Sequence, residues 1–154
     1  MREPIEGELN AEGLRFAVIA ARFNDEIATK LFEGALDCLE RHGAGSESVR
    51  AFRVPGAFEL PATAQRIIET KSVDAVIAIG VLVRGDTPHF DFISSAVSSE
   101  LCRISTQSGI PVAFGVITCD TMDQARARAR KGSNKGWEAA LAAIQMANVF
   151  RAIQ

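Results

Sequence analysis

The feature that most limits what this chain can become is a rhythm. Short apolar runs rich in β-branched residues alternate with longer segments of helical periodicity. The strongest run, Val73 to Val83 (VDAVIAIGVLV), carries a single charge. A strand with no polar face must be covered on both sides, as in a parallel sheet packed between helices. Leu14 to Ala20 (LRFAVIA) has the same character, and Val49 to Val54 and Val112 to Thr118 complete a set of four strands. Between the first two lies a helix from about Asp25 to His42. Ile27, Leu31, Ala35 and Leu39 recur every four residues in it, and Phe32 and Leu36 widen the stripe. Asn24 or Asp25 is placed to cap this helix and Gly43 to end it. Pro55-Gly56 breaks the second strand before a helix from about Phe58 to Thr70. A loop over Arg84 to Pro88 opens a long helix to about Ser108, and Gly109-Ile110-Pro111 leads into the fourth strand. Helices from about Met122 to Arg130 and from about Lys135 to Phe150 follow, separated by Gly132-Ser133-Asn134.

Alternation at this spacing predicts an α/β fold, a three-layer α/β/α sandwich around a four-stranded parallel sheet with right-handed crossovers. No second hydrophobic unit or internal repeat interrupts it, so residues 1–154 are read as one domain. Residues 1–10, polar and holding Pro4, form either a tail or an added edge strand. With 47% hydrophobic residues in 154, the chain can bury a core without disulfides. A net charge of -2 argues against nucleic acid as a partner. No apolar run approaches the roughly 20 residues that span a bilayer, so no membrane is expected. The N-terminus lacks the apolar stretch of a secretory signal. Cys38, Cys102 and Cys119 show no C-x-x-C spacing and read as reduced thiols in a cytoplasmic protein. With two histidines they also make a metal site unexpected.

Open parallel sheets bind ligands beyond the carboxyl ends of their strands. The segments selected are Arg22-Phe23-Asn24, Pro55 to Glu59, Val81 to His89, and Phe114 to Asp120. The turn Arg84-Gly85-Asp86-Thr87-Pro88-His89 is the most informative. Glycine lets a backbone approach closely, and free N–H groups at a helix start attract phosphate. His89 in the first helical turn would stand beside such an anion, poised for proton transfer near neutral pH. A capping turn with a surface histidine fits the same letters. Asp86 counts against phosphate unless its carboxylate turns away and only its N–H contributes. A receiver of the same fold would need an acidic cluster at the strand ends, which this chain lacks. Elsewhere, His42 reads as a surface residue at a helix end, Cys38 and Cys102 as packing within helices, and Trp137 as a packing or interface residue. Cys119, without a histidine nearby in sequence, is not read as a nucleophile.

The segments RFN (Arg22 to Asn24), VPGAFELP (Val54 to Pro61), GVLVRGDTPHFDF (Gly80 to Phe92) and NKGWEAALAAIQMAN (Asn134 to Asn148) together resemble the 6,7-dimethyl-8-ribityllumazine synthase family, over nearly the whole chain from Gly7 to Arg151. The resemblance implies a flavodoxin-like version of the sandwich. It implies an enzyme that condenses 5-amino-6-(D-ribitylamino)uracil with 3,4-dihydroxy-2-butanone 4-phosphate, releases phosphate and water, and uses no cofactor. On that resemblance Phe23 stacks on the pyrimidine, and Ala57, Phe58 and Glu59 hold the ribityl chain. Val81, Leu82 and Val83 hold the uracil edge through backbone groups. Asp86 and Thr87 cradle the phosphate, Arg128 pairs with it, and His89 carries protons. Arg126 and Arg130, four apart on one helical face, default to solvated surface, with Arg128 pointing elsewhere. Phe114 closes the pocket from a neighbouring subunit, which also supplies Arg128, so the expected site lies at a boundary within a homo-oligomer. Glu138 is a candidate to orient His89. Members form pentamers, paired pentamers or hollow shells, and a shell would allow association with riboflavin synthase. The turn at Lys131 to Gly136 resembles that of shell-forming members, with one residue fewer, and leaves the choice of assembly open. A flavin- or lumazine-binding protein without catalysis and a shell protein with a vestigial pocket are the alternatives.

Overall fold

A computed structural model describes residues 1–154. Four parallel strands, β1 (Phe16–Ala21), β2 (Val49–Val54), β3 (Ala75–Val83) and β4 (Val112–Cys119), form one sheet in the order β2-β1-β3-β4. Five helices connect and follow them: α1 (Asp25–Arg41), α2 (Leu60–Glu69), α3 (His89–Ser108), α4 (Met122–Ala127) and α5 (Lys135–Ile153). The expected flavodoxin-like three-layer arrangement is therefore present. Strand alternation sorts the core onto two faces. Phe16, Val18 and Ala20 point with Ile77 and Ile79 toward α1 and α5. Ala17, Ile19 and Ala21 point with Val76 and Ala78 toward α2 and α3. No polar or charged residue is fully buried. The residues able to do chemistry therefore lie at the margins of the core. No helix is long and apolar enough to cross a membrane.

The chain leaves β1 toward β2 on one side and later returns to build β3 and β4 on the other. That reversal opens a crevice beyond the ends of β1 and β3. It is deepened by unequal strand lengths: β1–β3 pairing stops at Ala20–Ile79, whereas β3–β4 pairing runs on to Val83–Cys119. At the opposite margin β4 pairs only with β3, so its outer edge is open.

Local boundaries differ from expectation where side chains intervene. Asn24 sits at the start of α1 in the left-handed region (φ 60°) with no side-chain cap. Its Nδ2 instead donates to the Val81 carbonyl at 3.3 Å. Gly43, at φ 100°, follows α1 as expected. The helix expected from Phe58 opens as a 3₁₀ turn at Ala57–Glu59 before α2. Pro61 favours the first turn of α2, and Glu59 Oε1 accepts from the Gly56 N–H at 3.0 Å. The third strand starts at Ala75 rather than Val73, because Asp74 turns its carboxylate to the Arg15 backbone N–H (2.7 Å) and guanidinium. That pairing holds the Arg15 pKa above its ordinary value. The helix expected to reach Arg130 ends at Ala127. The Ser133 hydroxyl donates to the Ala127 carbonyl and the Asn134 amide to the Ala129 carbonyl, both at 3.0 Å, turning the chain toward α5.

Asn134 also caps α5, accepting from the Trp137 N–H at 3.0 Å, and its amide donates to the Lys30 carbonyl of α1. Gly136 is needed here, since any Cβ would run into the Leu31 carbonyl. Residues 1–10 form no strand. Asn148 Nδ2 holds the Glu8 and Asn10 carbonyls against α5 at 2.6 and 3.0 Å.

Cys38 is buried as expected, but Cys102 is exposed. The packed positions of α3 fall at Val97, Leu101 and Ile104, and residue 102 turns outward. His42 is half-buried rather than a plain surface residue. Its ring meets Trp137 edge to face at 5.7 Å, and its Nδ1 lies 2.6 Å from the Cys38 carbonyl.

Candidate active site

Beyond the ends of β1, β2 and β3 lies an open hollow of about 420 Å³. Its walls come from the segments that leave the strands. Phe23 follows β1, and its backbone N–H is tied to the Pro55 carbonyl at 3.1 Å. Phe58 stands in the 3₁₀ turn. The two rings are 69% and 61% exposed, so neither is a core phenylalanine closing a strand. Ala57 and Val81 form a buried floor, with Leu82 and Val83 half-buried beside them. Because β3 outruns β1, the hollow reaches the main chain of Val81 to Val83. Glu59 spends Oε1 on Gly56 and has Oε2 unpaired within the chain.

Gly85, Thr87 and His89 complete the rim. His89 is the first residue of α3, and its N–H lies 3.5 Å from Thr87 Oγ1. Asp86 is exposed and lines neither this hollow nor the one below. Of the residues expected at the phosphate, Asp86 is therefore the one that the structure brings into neither hollow. Asp91 is engaged by Arg84 at 3.2 Å and does not orient His89.

A second open hollow, also about 420 Å³, lies along the free edge of β4 against α5. Phe114 and Thr118 of β4, Arg128 behind α4, and Lys135 and Glu138 of α5 line it. Arg128 Nη1 donates to the Gln124 carbonyl at 3.3 Å and lies 3.8 Å from Cys119 Sγ. Burial pushes the Cys119 thiol above its ordinary pKa, and the Arg128 charge opposes that shift. Arg126 and Arg130 are exposed, and Arg126 pairs with Asp123 at 3.1 Å, so both remain surface residues. Lys135 Nζ and Glu138 Oε2 are 3.1 Å apart.

The structure thus gathers Phe23, Ala57, Phe58, Glu59, Val81, Leu82, Val83, Thr87 and His89 in one hollow, and Phe114 and Arg128 in another. Glu138 belongs to the second and does not share a hollow with His89. Lys135 was passed over in the sequence, where a lysine in a first helical turn looks solvated. Its backbone N–H donates to the Arg128 carbonyl at 2.8 Å, which brings the exposed side chain to the rim of the second hollow. No cluster of His, Cys, Asp and Glu converges as a metal site. The first hollow offers aromatic faces, main-chain hydrogen-bonding groups, a carboxylate and an imidazole. The second offers two cations, one of them paired with the Glu138 carboxylate, and an aromatic ring.

A family model described as 6,7-dimethyl-8-ribityllumazine synthase matches residues 13–151. The chain is 53% identical over 150 residues to the 6,7-dimethyl-8-ribityllumazine synthase of Aquifex aeolicus, covering 97% of each chain. It is 49% identical over 150 residues to the protein of the same name from Clostridium kluyveri, again over 97% of each.

Proposed function

The chain belongs to the 6,7-dimethyl-8-ribityllumazine synthase family, and from that premise we propose that its two hollows are the two halves of one active site, completed between neighbouring copies. The protein is an enzyme of riboflavin biosynthesis, a transferase. It condenses 5-amino-6-(D-ribitylamino)uracil with 3,4-dihydroxy-2-butanone 4-phosphate to 6,7-dimethyl-8-ribityllumazine, with loss of phosphate and water. It acts on small molecules and assembles as an oligomer.

The observation that carries the composite site is the division of labour between the hollows. The pyrimidine needs a flat apolar face and hydrogen-bond partners for its edge. The phosphate needs cations. The strand-end hollow supplies the first kind of group and is lined by no Lys or Arg, while the β4-edge hollow supplies Arg128 and Lys135. In this reading Phe23 and a neighbour's Phe114 bracket the heterocycle, giving burial and orientation together. Main-chain groups of Val81, Leu82 and Val83 meet the uracil edge. Ala57, Phe58 and Glu59 flank the ribityl chain, whose hydroxyls donate to Glu59 Oε2. The Thr87 hydroxyl and the backbone at Asp86 face the phosphate, joined by the neighbour's Arg128 in a charge-assisted pair.

The chemistry then follows from placement. The amine attacks the ketone, and the resulting carbinolamine loses water to give an imine. Removal of the proton on the adjacent carbon expels phosphate from the next one. The enol left behind becomes a ketone, which the ribityl-bearing nitrogen attacks, and a second water leaves. Each step moves a proton, and His89 stands at the rim where one imidazole can serve them in turn. Arg128 and the turn hold the leaving dianion, lowering the cost of its departure. Holding two small reactants together supplies a further share of the rate.

We read residues 1–154 as a single domain. The oligomer is read as a pentamer or an assembly of pentamers on the family resemblance, and a closed shell would associate with riboflavin synthase. The compartment is read as cytoplasmic, supported by three free cysteines. The activity is tested by mixing both substrates and following lumazine absorption together with phosphate release. Equal amounts of both products support the reading, and binding of the pyrimidine without turnover refutes it.

A further inference from the structure

Arg84 is the first residue past β3, and the site just described makes no use of its side chain. Its backbone N–H donates to the Cys119 carbonyl at 2.8 Å, extending the contact between the ends of β3 and β4. Its guanidinium then reaches two carboxylates on two other segments. Nε donates to Asp120 Oδ1 at 2.9 Å, just behind β4. Nη1 donates to both Asp91 oxygens, at 3.2 and 3.4 Å, in the first turn of α3. The Phe90 ring lies beneath the guanidinium, 4.6 Å from its carbon. Both carboxylates hold the Arg84 pKa above its ordinary value, the hydrogen bond to Asp120 most of all.

Each carboxylate leads to one of the hollows. Asp91 stands two residues beyond His89 and four beyond Thr87, on the turn that rims the strand-end hollow. Asp120 donates its own N–H to Gln124 Oε1 at 2.8 Å, and the Gln124 carbonyl accepts from Arg128 Nη1 at 3.3 Å. One side chain is therefore connected to the supports of His89 and of Arg128. A lysine could not do this, because one ammonium cannot direct donors at two carboxylates in a fixed plane.

Resting on the active-site reading above, we propose that Arg84 is a positioning residue: by clamping Asp91 and Asp120 it steadies the Gly85-to-His89 turn against the β4–α4 link, and so tunes the phosphate cradle and the reach of His89. Both ion pairs are solvent-exposed and each is weak, so the clamp biases the position of the turn rather than locking it. It touches no reactant. Phe90 beneath the guanidinium also lines the strand-end hollow, but none of the groups assigned to the pyrimidine is bonded to the Arg84 side chain, so its loss is felt more by the phosphorylated substrate.

The test is steady-state kinetics of Arg84→Met, Arg84→Lys, Asp91→Asn and Asp120→Asn, with each substrate varied in turn. Arg84→Met is expected to raise KM for the phosphorylated butanone about threefold and lower kcat about threefold, with KM for the pyrimidine nearly unchanged. Arg84→Lys is expected to recover little of this. Asp91→Asn and Asp120→Asn are expected to shift the same constants in the same direction and to add nothing to Arg84→Met. Unchanged constants, both KM values rising together, or additive effects would overturn the inference. If Arg84→Met does not assemble, the two Asn variants decide alone, since each removes one arm of the clamp. Arg128→Ala and His89→Ala are measured in parallel. If they too leave turnover intact, the active-site reading has failed; if they impair it while the clamp variants do not, only the role of Arg84 has failed.

Discussion

The two hollows are similar in volume and opposite in plan. The strand-end hollow is made where the chain leaves the sheet. Its walls are aromatic or aliphatic, and its one carboxylate, Glu59, is partly committed to a 3₁₀ turn. The β4-edge hollow is made where the sheet stops. It carries Arg128, Lys135 and Glu138 around a single exposed phenylalanine. A heterocycle would find faces in the first and few in the second, while a phosphate would find cations only in the second. Neither alone accommodates both reactants. A heterologous contact that repeats around a ring would bring the open edge of one copy to the strand ends of the next. The contrast explains why an apolar ring such as Phe114 can stand exposed on an edge strand of a single chain. In the proposed composite site a second copy of the chain covers it.

Breaking one hollow at a time tests this contrast. Arg128→Ala should have the largest effect, reducing kcat/KM for the phosphorylated butanone on the order of a thousandfold, because a charge-assisted contact to a leaving dianion is lost. Pyrimidine affinity, measured by titration, should stay within about twofold. A loss confined to the pyrimidine would reverse the assignment of the hollows. His89→Ala should lower kcat about a hundredfold and again spare pyrimidine binding, positioning being retained. Unchanged turnover would remove the imidazole from the mechanism. Phe23→Ala should weaken pyrimidine binding about tenfold, the scale of one lost ring stack with its burial, and leave KM for the butanone nearly unchanged.

The smallest effect on activity sharpens the contrast from outside it. Cys38 lies on the buried face of α1, and burial, with Asp37 adding to it, pushes its thiol up to about 12 from an ordinary 9.0. The folded state then holds a proton that the unfolded chain releases. Stability owed to this group is complete below about pH 9 and falls as pH rises toward 12, by up to about 1.4 kcal/mol per pH unit. Cys38→Ala should lack that component of alkaline sensitivity in urea titrations and keep full turnover near neutral pH. The same alkaline slope in both proteins would contradict the burial argument.

What the sequence made legible is what local order encodes. Short apolar runs located all four strands, and the polar turn after β3 put the start of α3 at His89, where it is found. Most residues of the strand-end hollow fell within segments the topology rule selected, and the family resemblance assigned roles to most of these; Phe90 and Ile93 of α3 also line it and were missed. What was hidden depends on contacts between distant segments. Lys135 reaches the second hollow from a turn that Asn134 pins to Lys30, 104 residues away. The end of α4 at Ala127 is set by Ser133 and Asn134 beyond it. Arg84 reads as one more charge in a loop until Asp120, 36 residues on, is seen beside it. Cys102 was misjudged for a simpler reason: a small thiol in a helix is credited with burial, and only the phase of α3 shows which way it faces.

The composite site is tested most directly by mixing two defective variants. His89→Ala spoils the strand-end hollow and Arg128→Ala the β4-edge hollow, each in its own chain. Unfolding both together in equal amounts and reassembling them leaves about a quarter of sites with two intact halves if each half comes from a different copy arranged at random. Activity returning to about a quarter of the reassembled unmodified protein is the predicted result. Activity no greater than the mean of the two separately reassembled variants would mean that both halves come from one chain, and the account would be wrong.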